Sequence, residues 1–402
     1  MAAQTFNLHE IDGGVAAPLG VRAAGVRCGV KTRGKDLALI ACDAPATAAG
    51  IFTRNRVKGA PVIVSRRHLR AGRAQAIVAN SGCANVCVGP DGLRDAETMT
   101  ILAGEALGIE PAAVLVASTG IIGHRLPMDK ISRGIRLAAR RLSREGGKDA
   151  AKAIMTTDTV PKSMAVEFGV GRKRVRIGAV AKGAAMLAPN MATMLCFLTT
   201  DAEADCRALD RVLRASVEQS LHAITVEGDT STSDTAILLA TGRSRVALAQ
   251  CKPAFGEALD YLTRALAKAM VADAEGATKL ISVTVCGARR GNDARRIARS
   301  IAESPLVKAA MFGEDLNWGR IMAAAGKCGV PFRAGGVDVH VGNIAVARAG
   351  AAVDFDHRAA RAIMREREIS VLVDLNSGQA SATMWTSDLS LDYVRINAEY
   401  HT

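Results

Sequence analysis

Aromatic side chains are scarce in this 402-residue chain, which contains two tryptophans, three tyrosines and eight phenylalanines. Proteins that hold single-stranded nucleic acid interleave aromatic with basic residues, but the arginines of residues 131–144 alternate with isoleucine, leucine and alanine. That stretch is typical of an amphipathic helix with a solvated basic face. The formal net charge of +13 therefore favours small anionic substrates, with nucleic-acid binding a distant alternative.

The usual signatures of metal, phosphate and histidine-based sites are also missing. None of the nine cysteines forms a CxxC pair, and the seven histidines do not cluster. No GxxxxGK[ST], HExxH, GxSxG or GxGxxG motif is present. We expect reduced, mostly buried thiols in a cytoplasmic protein without a bound metal. If the chain is a catalyst, its nucleophile must work without histidine.

Long apolar runs are absent too. No stretch reaches membrane-spanning length without charges, and the first fourteen residues contain no apolar core of a signal peptide. With 49% hydrophobic and 23% charged residues, the chain is nevertheless globular rather than disordered. The sequence therefore predicts a protein with sizeable cores built from alanine, valine, leucine, isoleucine and methionine.

Apolar runs bounded by glycine, asparagine or charged residues predict strands, and apolar periodicity predicts helices. The predicted strands are 37–42, 60–65, 74–80, 113–118, 163–170, 174–181, 195–200, 235–240, 280–286, 337–342 and 369–375. The predicted helical regions are 127–153, 206–220, 255–274, 290–302 and 357–368. This mixture indicates an α/β or α+β fold with layered sheets. A change of character near Lys279 suggests two domains, residues 1–279 and 280–402.

The segment KGAAMLAPNMATMLCF, residues 182–197, contains a candidate nucleophile, Thr193. Pro189 and Asn190 break any continuous helix or strand, and the small Ala192 precedes Thr193 at the start of a predicted strand. A threonine hydroxyl can attack the preceding carbonyl when the backbone is held in an unusual geometry. The cut would release an N-terminal threonine whose own amine serves as base. The ordinary alternative is a buried threonine at a strand start.

The same segment resembles the cleavage segment of the ornithine acetyltransferases, the glutamate N-acetyltransferase family of arginine biosynthesis. Further segments resemble that family in the same order, from about residue 8 to the last residue. They include FTRNRVKGAPV (52–62), ASTGIIGHRLPM (117–128), IMTTDTVPK (154–162), ITVEGDTSTSDTAILLA (224–240), EGATKL (275–280), SPLVKAAMFGEDLNWGRI (304–321) and DYVRINAEYHT (392–402).

The resemblance implies a layered α/β sandwich with an N-terminal-nucleophile-like fold of the DmpA/ArgJ type and a smaller C-terminal α/β domain. It implies self-cleavage between Ala192 and Thr193, giving an α chain of residues 1–192 and a β chain of residues 193–402. Thr193 would take acetyl from N-acetylornithine and pass it to glutamate in ping-pong fashion. No metal or organic cofactor is implied. Acetyl-CoA is left open as a second donor, and two α and two β chains would form a heterotetramer.

Residue roles carry over position by position. The resemblance places the oxyanion hole at Thr119 and Gly120, which follow a predicted strand. A glycine there lets a backbone N–H approach a reacting oxygen closely. The implied substrate contacts are Thr156, Lys182, Thr193, Glu275, Asn397 and Thr402. Since the last two lie near the C-terminus, the chain end is expected to return to the site.

Some positions depart from the family pattern. Ala184 and Ala185 stand where Ser-Gly is common, and Cys83 and Ser233 each replace a common asparagine. None of these replacements removes a proposed catalytic group, although the alanine pair bears on the cutting rate. A hydrolase or aminopeptidase of the same fold is the nearest alternative, and a binding protein that no longer cuts is the next. A substrate from secondary metabolism also stays open.

Overall fold

The computed structural model describes residues 7–186 and 194–399. The predicted cleavage bond, Ala192–Thr193, and Thr402 lie outside these residues. In the described parts the strands form two sheets with helices packed against them, as the layered α/β prediction requires. No helix there is long and apolar enough to cross a membrane.

The larger sheet has nine strands. Eight follow the spatial order β1-β6-β7-β8-β10-β3-β4-β5, and β2 pairs with β3. Their bounds are β1 Leu8–Ile11, β2 Val21–Val26, β3 Leu37–Phe52, β4 Arg73–Cys83, β5 Val114–Ile121, β6 Lys162–Val170, β7 Lys173–Lys182, β8 Leu195–Thr200 and β10 Thr235–Ala240. Most pairs are antiparallel, but β8 runs parallel to β10 and β4 parallel to β5. The central strands are near-continuous apolar runs because both faces of the sheet are covered.

The smaller sheet has seven strands in the order β14-β13-β12-β15-β11-β16-β9. Their bounds are β9 Ile224–Thr225, β11 Leu280–Ala288, β12 Asp338–Val341, β13 Ile344–Arg348, β14 Ala351–Ala352, β15 Glu368–Asp374 and β16 Ala380–Ser387. The short β9 precedes the predicted domain boundary at residue 279 and yet pairs with β16 in this sheet. Buried side chains of both sheets belong to one apolar cluster, which reaches from Val166 to Trp385.

Eleven α-helices cover the sheets in the described residues. They are α1 Ala60–His68, α2 Gly89–Leu107, α3 Met128–Arg140, α4 Gly147–Ile154, α5 Cys206–Glu218, α6 Leu248–Ala272, α7 Gly291–Ala302, α8 Pro305–Phe312, α9 Trp318–Gly326, α10 His357–Met364 and α11 Leu391–Glu399. Where charged caps are present they suit helix ends: the Asp205 and Asp356 side chains accept N–H groups at the starts of α5 and α10.

One predicted strand is wrong. Residues 60–65 begin helix α1 instead. Pro61 lies in the first turn, where its missing N–H costs nothing, and three basic residues occupy the last turn, where they suit the helix dipole. A short apolar run fits a buried strand and a buried helix equally well. The run is buried because α1 packs on β5, where the Ser65 hydroxyl donates to the Val116 carbonyl at 2.6 Å.

The cysteine prediction is right about pairing and wrong about burial. All nine are free thiols. Only four are buried, and Cys87 and Cys206 are exposed. The buried ones are Cys42, Cys83, Cys196 and Cys251. Burial raises the pKa of Cys42 and of Cys196 to about 12, which keeps both as inert thiols at neutral pH.

Candidate active site

A cavity of about 680 Å³ opens where the ends of β5 and β7 meet the C-terminal helix α11. Six of the site residues named from the sequence line it. They are Thr119, Gly120, Thr156, Lys182, Glu275 and Asn397. These residues are separated by up to 278 positions (397 − 119) in the chain, so the fold alone brings them together. The remaining three, Ala192, Thr193 and Thr402, lie outside the described residues.

Thr119 and Gly120 end the parallel strand pair β4–β5. The Thr119 hydroxyl is buried and has no hydrogen-bond partner among the described residues. Gly120 is exposed to the cavity and has φ +126°, and a Cβ there would lie 2.4 Å from the Gly82 carbonyl carbon. Only glycine therefore fits at this position. The strand end presents an unpaired hydroxyl and an open backbone, both able to face a developing oxyanion.

Lys182 closes strand β7 and is 2% exposed. Its Nζ donates no hydrogen bond to a described residue, and the nearest carboxylate oxygen is Asp158 Oδ2 at 4.0 Å. Burial lowers the pKa of Lys182, while the negative charge of Asp158 opposes that shift. A buried ammonium is costly unless it is paired. The cavity therefore offers to a ligand carboxylate a buried lysine that is only loosely paired among the described residues.

Asp158 organises this wall of the cavity, and sequence reasoning missed it. Its carboxylate accepts the N–H groups of Thr156 at 3.0 Å and of Gly183 at 2.8 Å, and the Lys162 ammonium at 2.7 Å. Burial alone would raise its pKa, but the charges of Lys182 and Lys162 outweigh burial and lower the pKa to about 2. A single aspartate in a turn has no spacing pattern that marks it as a hub.

Another part of the cavity lining carries carboxylates. Asn397 Nδ2 on α11 donates to Glu275 Oε2 at 3.1 Å, and Glu275 N donates to the Ala184 carbonyl at 2.9 Å. Burial raises the pKa of Tyr393 to about 12, and the nearby charges of Glu227, Glu275 and Asp229 add to the shift. Because negative charges gather around this tyrosine, this wall suits an ammonium group.

Helix α11 is held closely against the Glu275 turn. Gly276 has φ +67°, and a Cβ there would lie 2.3 Å from Tyr393 N. The Ser390 hydroxyl donates to the Gly276 carbonyl at 2.6 Å and accepts from Tyr393 N at 3.0 Å. The chain's last described helix is thereby docked at the cavity, which brings Asn397 to it.

A second, larger cleft of about 980 Å³ lies along β3, α1 and α5 and contains none of the predicted site residues. Its arginines 54, 66 and 70 are exposed, and its carboxylates are already paired, Asp210 with Arg214 at 2.7 Å and Glu218 with His222 at 2.8 Å. Exposed arginines in an open cleft are well solvated. The smaller cavity brings together the buried Lys182, the buried Thr119 hydroxyl and four further predicted site residues, which marks it as the candidate site.

The described residues contain no cluster of three or more His, Cys, Asp or Glu side chains that could hold a metal ion. The chemistry that this cavity can support with its own groups is acyl transfer. It combines a cation for a carboxylate, carboxylates for an ammonium and unpaired donors for an oxyanion.

Comparison with known proteins agrees with this assignment. The ArgJ family model matches residues 22–402. The arginine biosynthesis bifunctional protein ArgJ of Symbiobacterium thermophilum is 51% identical over 98% of this chain and all of its own length. Its counterpart from Caldanaerobacter subterraneus is 46% identical over the same shares.

Among solved structures, ArgJ from Bacillus halodurans is 42% identical, with a TM-score of 0.44 over 47% of this chain and 100% of that chain. The ornithine acetyltransferase of Mycobacterium tuberculosis, solved with ornithine, is 40% identical, with a TM-score of 0.43 over 47% of this chain and 100% of that chain.

Proposed function

This chain belongs to the ArgJ family of arginine biosynthesis, and from that premise we propose that it transfers acetyl from N-acetylornithine to glutamate. The observation that carries the proposal is that groups of opposite charge line one cavity. Lys182 presents a buried ammonium without a hydrogen-bond acceptor among the described residues, and Glu275 with Asn397 presents a carboxylate. Amino-acid substrates need both groups.

The substrate orientation follows from the charges. The carboxylate of N-acetylornithine pairs with Lys182, and its free side-chain ammonium faces Glu275 and the other carboxylates near Tyr393. Thr156 lies beside the same Asp158 carboxylate as Lys182 and completes the carboxylate-binding wall. Glutamate uses Lys182 in the second half-reaction, after ornithine has left.

Catalysis begins with the chain cutting itself between Ala192 and Thr193. The freed amine of Thr193 takes the proton of the Thr193 hydroxyl, and the oxygen attacks the acetyl carbonyl. The Thr119 hydroxyl and the Gly120 N–H hold the negative oxygen that forms. The C–N bond then breaks, ornithine leaves with the proton, and acetyl stays on Thr193 as an ester. The glutamate amine attacks this ester, giving N-acetylglutamate and free Thr193.

The assembly and the second donor are part of the same proposal. The two pieces, residues 1–192 and 193–402, stay together and form a heterotetramer of two α and two β chains in the cytoplasm. The reaction needs no metal or organic cofactor, and acetyl-CoA can replace N-acetylornithine as acetyl donor. That second activity is supported by the word "bifunctional" in the names of the similar proteins.

Denaturing mass spectrometry tests the self-cutting nucleophile. The wild-type protein should give two fragments, one beginning at Thr193, that together weigh one water more than the encoded chain. Thr193→Ala should stay intact and inactive, and Thr193→Ser should still cut because a hydroxyl remains. Thr98→Ala is the matched control, since the Thr98 hydroxyl bonds only the Arg94 carbonyl of its own helix.

An acetyl-transfer assay then separates a transferase from a hydrolase of the same fold. We expect N-acetylglutamate to form from N-acetylornithine and glutamate, with little acetate when glutamate is omitted. Acetate release at an equal rate without glutamate would show a hydrolase. A cut or active Thr193→Ala variant would overturn the mechanism.

A further inference from the structure

Asp234 is a buried carboxyl group that the proposed mechanism leaves unused. It directly precedes β10 and is 0% exposed. Its Oδ1 accepts the Met194 N–H at 2.8 Å, whereas its Oδ2 is buried without a hydrogen-bond partner among the described residues. An unsatisfied buried oxygen is destabilising. A buried oxygen without a partner calls for an explanation other than stability.

The backbone around Asp234 is fixed from two sides. Its own carbonyl accepts Thr53 N at 3.0 Å, at the end of β3, and the next residue, Thr235, donates its N–H to the Met194 carbonyl at 3.1 Å. From there β10 runs parallel to β8, with Thr235 opposite Leu195. Met194 is thus held through its N–H by Asp234 and through its carbonyl by Thr235.

We propose that Asp234 is a positioning residue for the nucleophile of the proposed reaction, acting through the Met194 amide. A peptide unit is planar, so fixing the Met194 N–H constrains the peptide bond that joins Met194 to Thr193. A nucleophile displaced by about 1 Å can lose on the order of 10²-fold in rate. The inference rests on the proposed function, because it assigns Asp234 to the residue that cuts and then carries acetyl.

The surroundings of Asp234 act on its charge in opposite directions. Burial raises its pKa well above the ordinary value, although the Met194 N–H, the nearby Ser231 hydroxyl and the charge of Lys182 favour the carboxylate. Lys182, at the end of β7 and separated from β10 by β8, is the charged group that acts on it. Asparagine at this position keeps an acceptor oxygen for the Met194 N–H, so Asp234→Asn tests whether that oxygen is sufficient.

Asp201 provides a matched control at the other end of β8. It is also 0% exposed, but both of its oxygens are satisfied, Oδ1 by Arg176 N at 2.9 Å and Oδ2 by Leu19 N at 3.1 Å. Burial raises its pKa as well. Asp201→Ala therefore removes an equally buried aspartate, next to the adjacent strand, that does not contact Met194 among the described residues.

The experiment measures three quantities in the full-length protein: the rate of cutting, acetyl transfer per cut chain and the melting temperature. We expect Asp234→Ala to cut and transfer about 10²-fold more slowly, with the KM for N-acetylornithine within two-fold of wild type, because Asp234 does not line the cavity. Asp234→Asn should stay within about three-fold of wild type in both rates. Asp201→Ala should melt at a lower temperature but, once folded, should cut and transfer at wild-type rates.

Asp234→Thr serves if Asp234→Ala does not fold, since its hydroxyl is an acceptor one atom shorter than the carboxyl. It should cut more slowly than Asp234→Asn. Wild-type rates in Asp234→Ala or Asp234→Thr would overturn the positioning role, as would equal losses in Asp234→Ala and Asp201→Ala. A loss above ten-fold in Asp234→Asn with an unchanged melting temperature would overturn positioning by the acceptor oxygen.

The proposed function fails in a different and visible way. In that case the wild-type protein itself neither cuts nor transfers acetyl, or Thr193→Ala keeps its activity. The positioning role fails when wild type behaves as proposed and the Asp234 variants do as well.

Discussion

Two buried lysines lie near Asp158, but they differ in how closely they pair with carboxylates. Lys162 Nζ lies 2.7 Å from Asp158 Oδ1 and 2.6 Å from Asp273 Oδ2, so its charge is neutralised on two sides. Lys182 Nζ lies 4.0 Å from Asp158 Oδ2 and faces the cavity. The two lysines therefore have different roles. The Lys162 charge is paired within the protein and contributes to its stability, whereas the Lys182 charge is less closely paired and is available to bind a ligand.

Removing the satisfied lysine should have the largest effect on stability. Lys162→Met leaves Asp158 and Asp273 buried with less compensation, which costs about 3–5 kcal/mol of unfolding free energy. A urea unfolding midpoint measures this loss. Lys173→Met is the control, since Lys173 is an exposed residue of the neighbouring strand and should change stability by less than about 0.5 kcal/mol. Equal midpoints for the two variants would contradict this assignment.

Removing the open lysine should affect activity instead. Lys182→Met takes away the only buried cation that faces the ligand in the described cavity wall, so kcat/KM for N-acetylornithine should fall about 10²–10³-fold. Its unfolding free energy should fall by less than that of Lys162→Met, because Asp158 keeps its 2.7 Å contact with Lys162 and burial already disfavours the charged form of Lys182. A Lys182→Met protein as unstable as Lys162→Met would contradict the different roles assigned to the two lysines.

Acid should weaken the interactions of Asp158 with its lysine partners in a defined pH range. The folded-state pKa of Asp158 is lowered from 3.8 to about 2. The stabilisation, about 2.5 kcal/mol, is therefore present above pH 4 and lost as the pH falls through about 2. The difference in unfolding free energy between wild type and Asp158→Asn should shrink over that range. A difference that stays constant from pH 7 to pH 2 would show that Asp158 is not the responsible group.

The smallest effect is expected on the carboxylate wall. Asn397→Ala removes one hydrogen bond to Glu275, worth about 1 kcal/mol. The KM for N-acetylornithine should rise roughly five-fold, and the melting temperature should not change. Arg395→Ala on the same helix is the control, because Arg395 pairs only with Asp392 among the described residues. An equal change in KM for both variants would point to a general loosening of α11.

Much of the fold could be predicted from local patterns. The runs at 195–200 and 235–240 are strands with the predicted bounds, because a buried parallel pair needs continuous apolarity. The strand predicted at 60–65 was wrong. An apolar stretch there fits a strand or a helix, and Pro61 and the basic residues after the run favour the helix. The prediction of buried cysteines was also wrong for Cys87 and Cys206, because burial of a lone cysteine depends on tertiary packing.

The candidate site could be predicted only in part from the sequence. Thr119, Gly120 and Lys182 were named because whole segments resemble a family, and the fold then placed them around one cavity. Asp158 and Asp234 were missed. Each is a single aspartate that accepts a backbone N–H from another strand region, Gly183 for Asp158 and Met194 for Asp234, and only the folded structure shows such contacts.

The strand order of the larger sheet has a consequence for how the molecule is made. Strands β8 and β10, which follow residue 193, lie between β7 and β3, which precede it. A chain cut at that point would consist of two interleaved pieces, and separating them would require opening the sheet at its centre on both sides. Folding must therefore come before cutting. Halves synthesised apart would have to find these non-local pairings as a bimolecular step, which is slow and prone to aggregation.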